Sequence, residues 1–152
     1  PCAWFARSLD EAKELSRKVT EVTHNHPEGI KGAEAVTVAI YMALHGKDKT
    51  EIRNEMQKYY DLNFTIDEIR PTYRFNETCQ RTVPQAIMAF LESYDFEDAI
   101  RTAISVGGDS DTLAAITGRI AEAYYTIPEK IKETAKTFLD ERLKRILEKT
   151  PE

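Results

Sequence analysis

The sequence is short of the features that assign a chain to a class at a glance. Two cysteines, Cys2 and Cys79, stand far apart without metal-ligand spacing. That excludes a disulfide-built scaffold and a zinc-finger pattern and leaves two free thiols. Six glycines and six prolines scattered along 152 residues exclude a collagen-like repeat and a low-complexity linker. No apolar run approaches the roughly 20 residues of a membrane span, and the start carries no charged stretch leading into an apolar signal core. A cytoplasmic location is expected, with no membrane partner. Basic residues are too few to form a phosphate-tracking stripe: 21 Lys and Arg are outnumbered by 26 Asp and Glu, for a net charge of −5. Nucleic acid is therefore not an expected partner. There is no Walker-type loop, no Ser/His/Asp or Cys/His nucleophile arrangement, and no convincing strand alternation.

What remains is a globular composition, 41% apolar and 31% charged, at a length ordinary for one domain. The opening PCAWFARSLDEA has no methionine and runs straight into a helical pattern. It reads as a piece of something longer.

Helix starts dominate the local signal. In a capping box, a Ser, Thr, Asp or Asn side chain satisfies an orphan N–H and a Glu or Gln three residues on reciprocates. Ser8 with Glu11, Asp48 with Glu51, Thr65 with Glu68, Thr82 with Gln85 and Thr126 with Glu129 all have this spacing. Pro84 and Pro128 then fall in first turns, where a missing N–H costs nothing. Apolar residues recur at three and four behind two of these starts: Ile87, Phe90 and Leu91, then Ile131, Ala135, Phe138, Leu139 and Ile146. Both sets are expected to face the core. Asp95 opens FEDAIRTAISV, and Gly32, Ala35, Ala39 and Ala43 form a stripe of small residues that lets another helix come close. Residues 70–81, RPTYRFNETCQR, form the longest irregular piece, with Tyr73 and Phe75 either lining a pocket or covering the core. The expected fold is all-α.

Two motifs carry chemistry. In GGDSDT, Asp109 and Asp111 stand one residue apart before an alanine-rich helical pattern. One reading is that Asp109, Ser110 or Asp111 merely caps that helix. Yet the box spacing of the other starts is absent here, since Thr112 follows Asp109 by three and Leu113 follows Ser110. Gly107 and Gly108 exceed the one glycine a C-cap uses, and a second suggests close approach to something. Two carboxylates and a hydroxyl suit a hard cation such as Mg²⁺, Mn²⁺ or Ca²⁺, although Mg²⁺ wants about six oxygens and the motif supplies fewer. In THNHPEGIKGAEA, Asn25 with Glu28 is again a box and Pro27 sits in its first turn, leaving His24 and His26 unexplained. A zinc pair lacks a third soft ligand, whereas a histidine hydrogen-bonding a polar ligand at a helix N-terminus fits the pattern.

Together THNHPEGIKGAEA, DEIRPTYRFNETCQRTVPQAIMAFLES and DFEDAIRTAISVGGDSDTLAAITGRIAEAYY with its following IPE resemble, in order, the C-terminal part of the ADP-ribosylglycohydrolase family. The resemblance covers essentially the whole chain, so 1–152 reads as the C-terminal portion of a single domain. It implies an all-α protein that holds two divalent cations, Mg²⁺ or Mn²⁺, at the bottom of an ADP-ribose cleft. On that resemblance Asp109, Asp111 and Thr112 match metal ligands, and His24 matches a histidine that helps bind ADP-ribose. The implied reaction is hydrolysis of the glycosidic bond joining ADP-ribose to a protein side chain or small molecule; no catalytic residue is assigned. The family's Thr-Asp-Asp motif and glycine-rich loops do not occur in this sequence, so the chain by itself is expected to bind metal weakly and hydrolyse little. Arg81 stands where many members carry a small residue. The implied partners are ADP-ribose or an ADP-ribosylated substrate, together with an absent N-terminal segment or a second copy. The competing readings are a non-catalytic, crystallin-like or ADP-ribose-binding helical module and a helical adaptor whose acids only cap.

Overall fold

A computed structural model describes residues 1–147, so the last five residues of the 1–152 span lie outside it. Ten helices and no strand are found among the described residues, which is the all-α class expected. In chain order they are α1 (Cys2–Phe5), α2 (Leu9–Thr20), α3 (Pro27–Leu44), α4 (Lys49–Met56), α5 (Ile66–Ile69), α6 (Cys79–Glu92), α7 (Phe96–Ser105), α8 (Ser110–Tyr124), α9 (Glu129–Thr137) and α10 (Glu141–Leu147).

Local chemistry sets most of the starts. Asp48 and Thr65 form complete boxes with Glu51 and Glu68, and Asp95 accepts the Asp98 N–H at 2.7 Å. Ser8 accepts the Glu11 N–H at 3.1 Å, but the Glu11 carboxylate turns to the Arg7 N–H at 2.7 Å instead of closing the box.

Three expected starts are displaced. α3 is capped by His26, whose Nδ1 accepts the Glu28 N–H at 3.2 Å, so Asn25 is not the cap although Pro27 does occupy the first turn. α6 begins after Thr78 and not after Thr82, because Asn76 Oδ1 accepts the Thr78 N–H at 2.9 Å and turns the chain into helix early. Thr82 and Pro84 are then helix interior and buried, and the Thr82 hydroxyl donates back to the Asn76 carbonyl at 3.2 Å. α9 begins after Pro128, with no side-chain cap from Thr126.

The core lies where α3, α6, α7 and α8 meet. Ala35, Val38, Ala39 and Ala43 of α3 are buried against Ala86, Ile87 and Phe90 of α6 and Leu113, Ile120 and Ala121 of α8. The small stripe works as expected: a Cβ on Gly32 would stand 3.1 Å from the Cys79 Cβ, so α3 and α6 approach too closely for a side chain there. The one hydroxyl buried on α8, Thr117, donates to the Ala86 carbonyl at 2.9 Å and so avoids the cost of an unmade bond. The expected core face of the last helices is not covered. α9 and α10 bury no residue, Phe138 is 84% exposed, and Ile146 is 52% exposed.

At the end of α6, Glu92 accepts the Ile66 N–H with both carboxylate oxygens, at 3.1 and 3.3 Å, joining α5 to α6. Burial raises the Glu92 pKa above the ordinary carboxylate value, and the Asp67 charge adds to the rise. A carboxyl whose folded pKa lies above its unfolded one contributes most stability below the unfolded value, near 4.5, and loses that contribution as pH rises through the folded value. Glu92→Gln keeps an acceptor for Ile66 and removes the titration. Denaturation series between pH 4 and 7 are expected to show wild type losing stability across that window relative to the variant; parallel curves would contradict this account.

Candidate metal centre

The acidic turn joins α7 to α8 and its shape comes from two consecutive glycines. Gly107 has φ +80° and Gly108 φ +64°, both in the left-handed region that L side chains resist. The two glycines differ in surroundings. Nothing lies within 4 Å of where a Cβ of Gly107 would be, whereas a Cβ of Gly108 would stand 2.7 Å from Tyr73 Cε1 and 3.1 Å from the Phe75 nitrogen. The close approach signalled by the second glycine is therefore made to the 70–81 loop.

Asp109 stands at the N-cap position of α8, yet its side chain makes no capping bond. Its carbonyl accepts the Leu113 N–H at 3.1 Å, so the helix begins without use of its carboxylate. The Asp111 carboxyl is held below the usual range first by its hydrogen bond with Asp109 and then by the N–H groups of Thr112 and of Asp111 itself. Asp109 is half-buried while Asp111 and Thr112 are exposed, which leaves the pair open to an entering ligand. The donors are oxygens, as a hard cation prefers, and the Asp109 carboxylate is not used as a helix cap. No cluster of three or more His, Cys, Asp or Glu side chains is found among the described residues.

Tyr73 is the neighbour that sequence reasoning left undecided. Its ring packs against the core, its hydroxyl donates to the Arg81 carbonyl at 2.8 Å, and burial raises its phenol pKa, with the Asp109 charge contributing to the rise. Phe75, by contrast, is 62% exposed. Tyr73 thus takes the core-covering role beside the acids, whereas Phe75 takes neither role and faces solvent.

His24 lies in the exposed turn between α2 and α3, with Nδ1 2.8 Å from the Thr23 hydroxyl and its N–H donating to the Thr20 carbonyl at 2.8 Å. No hydrogen bond joins it to the acids. The helices that follow the two motifs, α3 and α8, do pack on one another.

The class is thus an all-α domain whose central helix α8 opens on an acidic turn without a side-chain cap. The sequence model of the ADP-ribosylglycohydrolase family matches residues 1–151, and the chain belongs to that family. Among similar proteins, an uncharacterized protein of Archaeoglobus fulgidus is 30% identical over 93% of this chain and 52% of its own length. An ADP-ribosylarginine hydrolase of Pseudomonas putida is 29% identical over 89% of this chain and 40% of its own length. The human ADP-ribosylhydrolase ARH3 is 23% identical over 94% of this chain and 54% of its own length. The chain therefore spans about half the length of the curated relatives it matches.

Proposed function

We propose that this chain supplies the C-terminal, cation-holding part of an ADP-ribosylglycohydrolase, an enzyme that hydrolyses the glycosidic bond between ADP-ribose and a protein side chain or small molecule. The observation that carries this reading is Asp109, which occupies the N-cap position of α8 without a side-chain capping bond, two residues from Asp111. Family membership and the activities named for two relatives support the reaction class. Asp109, Asp111 and Thr112 hold a divalent cation, Mg²⁺ or Mn²⁺, one of two in the complete site. A cation held there supplies orientation of ribose hydroxyls and lowers the pKa of bound water. His24, exposed at the head of α3, takes a hydrogen bond from or to a polar group of ADP-ribose.

The ligand set is completed by an N-terminal segment of the same protein or by a second copy. The exposed Trp4 and Phe5 of α1 and Val19 of α2 provide apolar surface for such an assembly. The proposed location is the cytoplasm. Both thiols are free, and no helix among the described residues is long and apolar enough to cross a membrane.

Calorimetric titration of ADP-ribose into the chain, with Mg²⁺ and then with chelator, tests the site. Weak, Mg²⁺-dependent binding is expected, and Asp111→Ala is expected to weaken it at least about tenfold through loss of a ligand. Binding that ignores both chelator and the substitution would remove the cation from the reading. Absence of binding under all conditions would leave only shared ancestry.

A further inference from the structure

We propose that Tyr73 is a positioning residue: its ring, packed on Gly108, is the strut that holds the turn carrying Asp109 and Asp111 in place at the head of α8. The cation that turn would hold rests on the proposed function, whereas the strut itself does not.

The turn has little else to fix it. Two successive glycines give the backbone its widest freedom, and the side-chain cap that ordinarily locks the entry to a helix is unused at Asp109. Gly107 has open space where a side chain would be. The three atoms nearest to a Cβ at Gly108 would be Tyr73 Cε1 at 2.7 Å, Tyr73 Cδ1 at 3.1 Å and the Phe75 nitrogen at 3.1 Å. Two of these three belong to the Tyr73 ring.

The ring is itself anchored at both ends. The Tyr73 N–H donates to the Ile69 carbonyl of α5 at 2.8 Å, and the hydroxyl donates to the Arg81 carbonyl in the first turn of α6 at 2.8 Å. Between these anchors the ring is partly buried against the hydrophobic core. An aromatic side chain with few rotatable bonds, fixed at backbone and tip, transmits the position of α5 and α6 to the acid turn. The absence of a side chain at Gly108 is what allows the contact.

The test uses the full chain with Tyr73→Leu and Tyr73→Phe. Amide hydrogen exchange of the metal-free protein reads the turn at its two bonded ends, the Gly107 N–H on the Ile104 carbonyl and the Leu113 N–H on the Asp109 carbonyl: exchange there in Tyr73→Leu is expected to quicken about tenfold, as local opening becomes easier, while Ala86–Phe90 in α6 stay unchanged. Tyr73→Phe keeps the ring and is expected to restore most of the protection. Mn²⁺ binding, followed by loss of the free-ion spin-resonance signal, is expected to weaken about tenfold in Tyr73→Leu and to recover in Tyr73→Phe, as for other groups that orient metal ligands.

Unchanged exchange at Gly107 and Leu113 in Tyr73→Leu would overturn the proposal, as would a fall in protection spread evenly over the molecule. Faster exchange confined to the turn, in a wild-type chain that takes up no Mn²⁺, would uphold the strut and refute the cation. Should Tyr73→Leu fail to fold, Tyr73→Met, unbranched and better able to adapt to the gap without a ring, carries the same comparison.

Discussion

Gly108→Ala is expected to cost about 2–5 kcal/mol of folding stability, and Gly107→Ala about 1–2 kcal/mol, although the two residues are adjacent and both have positive φ. The shared part is conformational, since an L side chain in the left-handed region brings Cβ against its own backbone. The difference is tertiary. A methyl at Gly107 enters open space, whereas at Gly108 it would lie 2.7 Å from a ring atom of Tyr73, closer than carbon atoms approach without displacement. The ring cannot swing aside freely, because its hydroxyl is bonded to the Arg81 carbonyl. Urea denaturation of the two variants gives the comparison, and equal losses would mean that the Tyr73 contact carries no energy. Gly108→Ala is also expected to reduce Mn²⁺ uptake more than Gly107→Ala, because the displaced turn carries Asp109 and Asp111.

The second large effect is expected far from the acids, at Lys49. Its ammonium donates to the Leu91 carbonyl at 3.1 Å and to the Ser93 carbonyl, capping the exit of α6, where the helix dipole favours a cation. It also stands 5.1 Å from the ring centre of Phe90, 5.9 Å from Tyr124 and 5.4 Å from Tyr125. These rings meet edge to face, and the Tyr125 hydroxyl donates to the same Ser93 carbonyl at 2.8 Å. One side chain thus joins the start of α4 to the ends of α6 and α8. Lys49→Met retains the apolar stem and removes charge and donors, and it is expected to cost about 2–4 kcal/mol. Exposed helical pairs such as Arg101 with Glu97 serve as the control, with a loss of no more than about 1 kcal/mol. A Lys49→Met loss no larger than that control would show that the aromatic cage contributes nothing beyond a surface ion pair.

Much of the fold was legible in the residues because its cues are local. The caps at Ser8, Asp48, Thr65 and Asp95 were readable because a side chain bonds an N–H three residues away, within one turn of chain. The glycine and alanine stripe of α3 announced a close helix contact in the same way, since small residues at helical spacing leave room on one face. The Thr82 and Gln85 spacing failed for the converse reason. A box pattern costs nothing inside a helix, and Asn76 turned the chain earlier. At Phe138 and Ile146 the periodicity marked an apolar face and could not say whether this chain covers it.

The acid pair stands between these cases. Sequence alone indicated the all-α class, the starts of α2, α4, α5 and α7, and Asp109, Asp111 and Thr112 as candidate ligands, because each reading rests on residue types at short spacing. Only the tertiary structure decided that Asp109 leaves the helix uncapped and that the partner of Gly108 is Tyr73. The Tyr73 contact joins segments remote along the chain, and its partner is chosen by how α5, α6 and α8 pack around one core, a choice that no local pattern encodes.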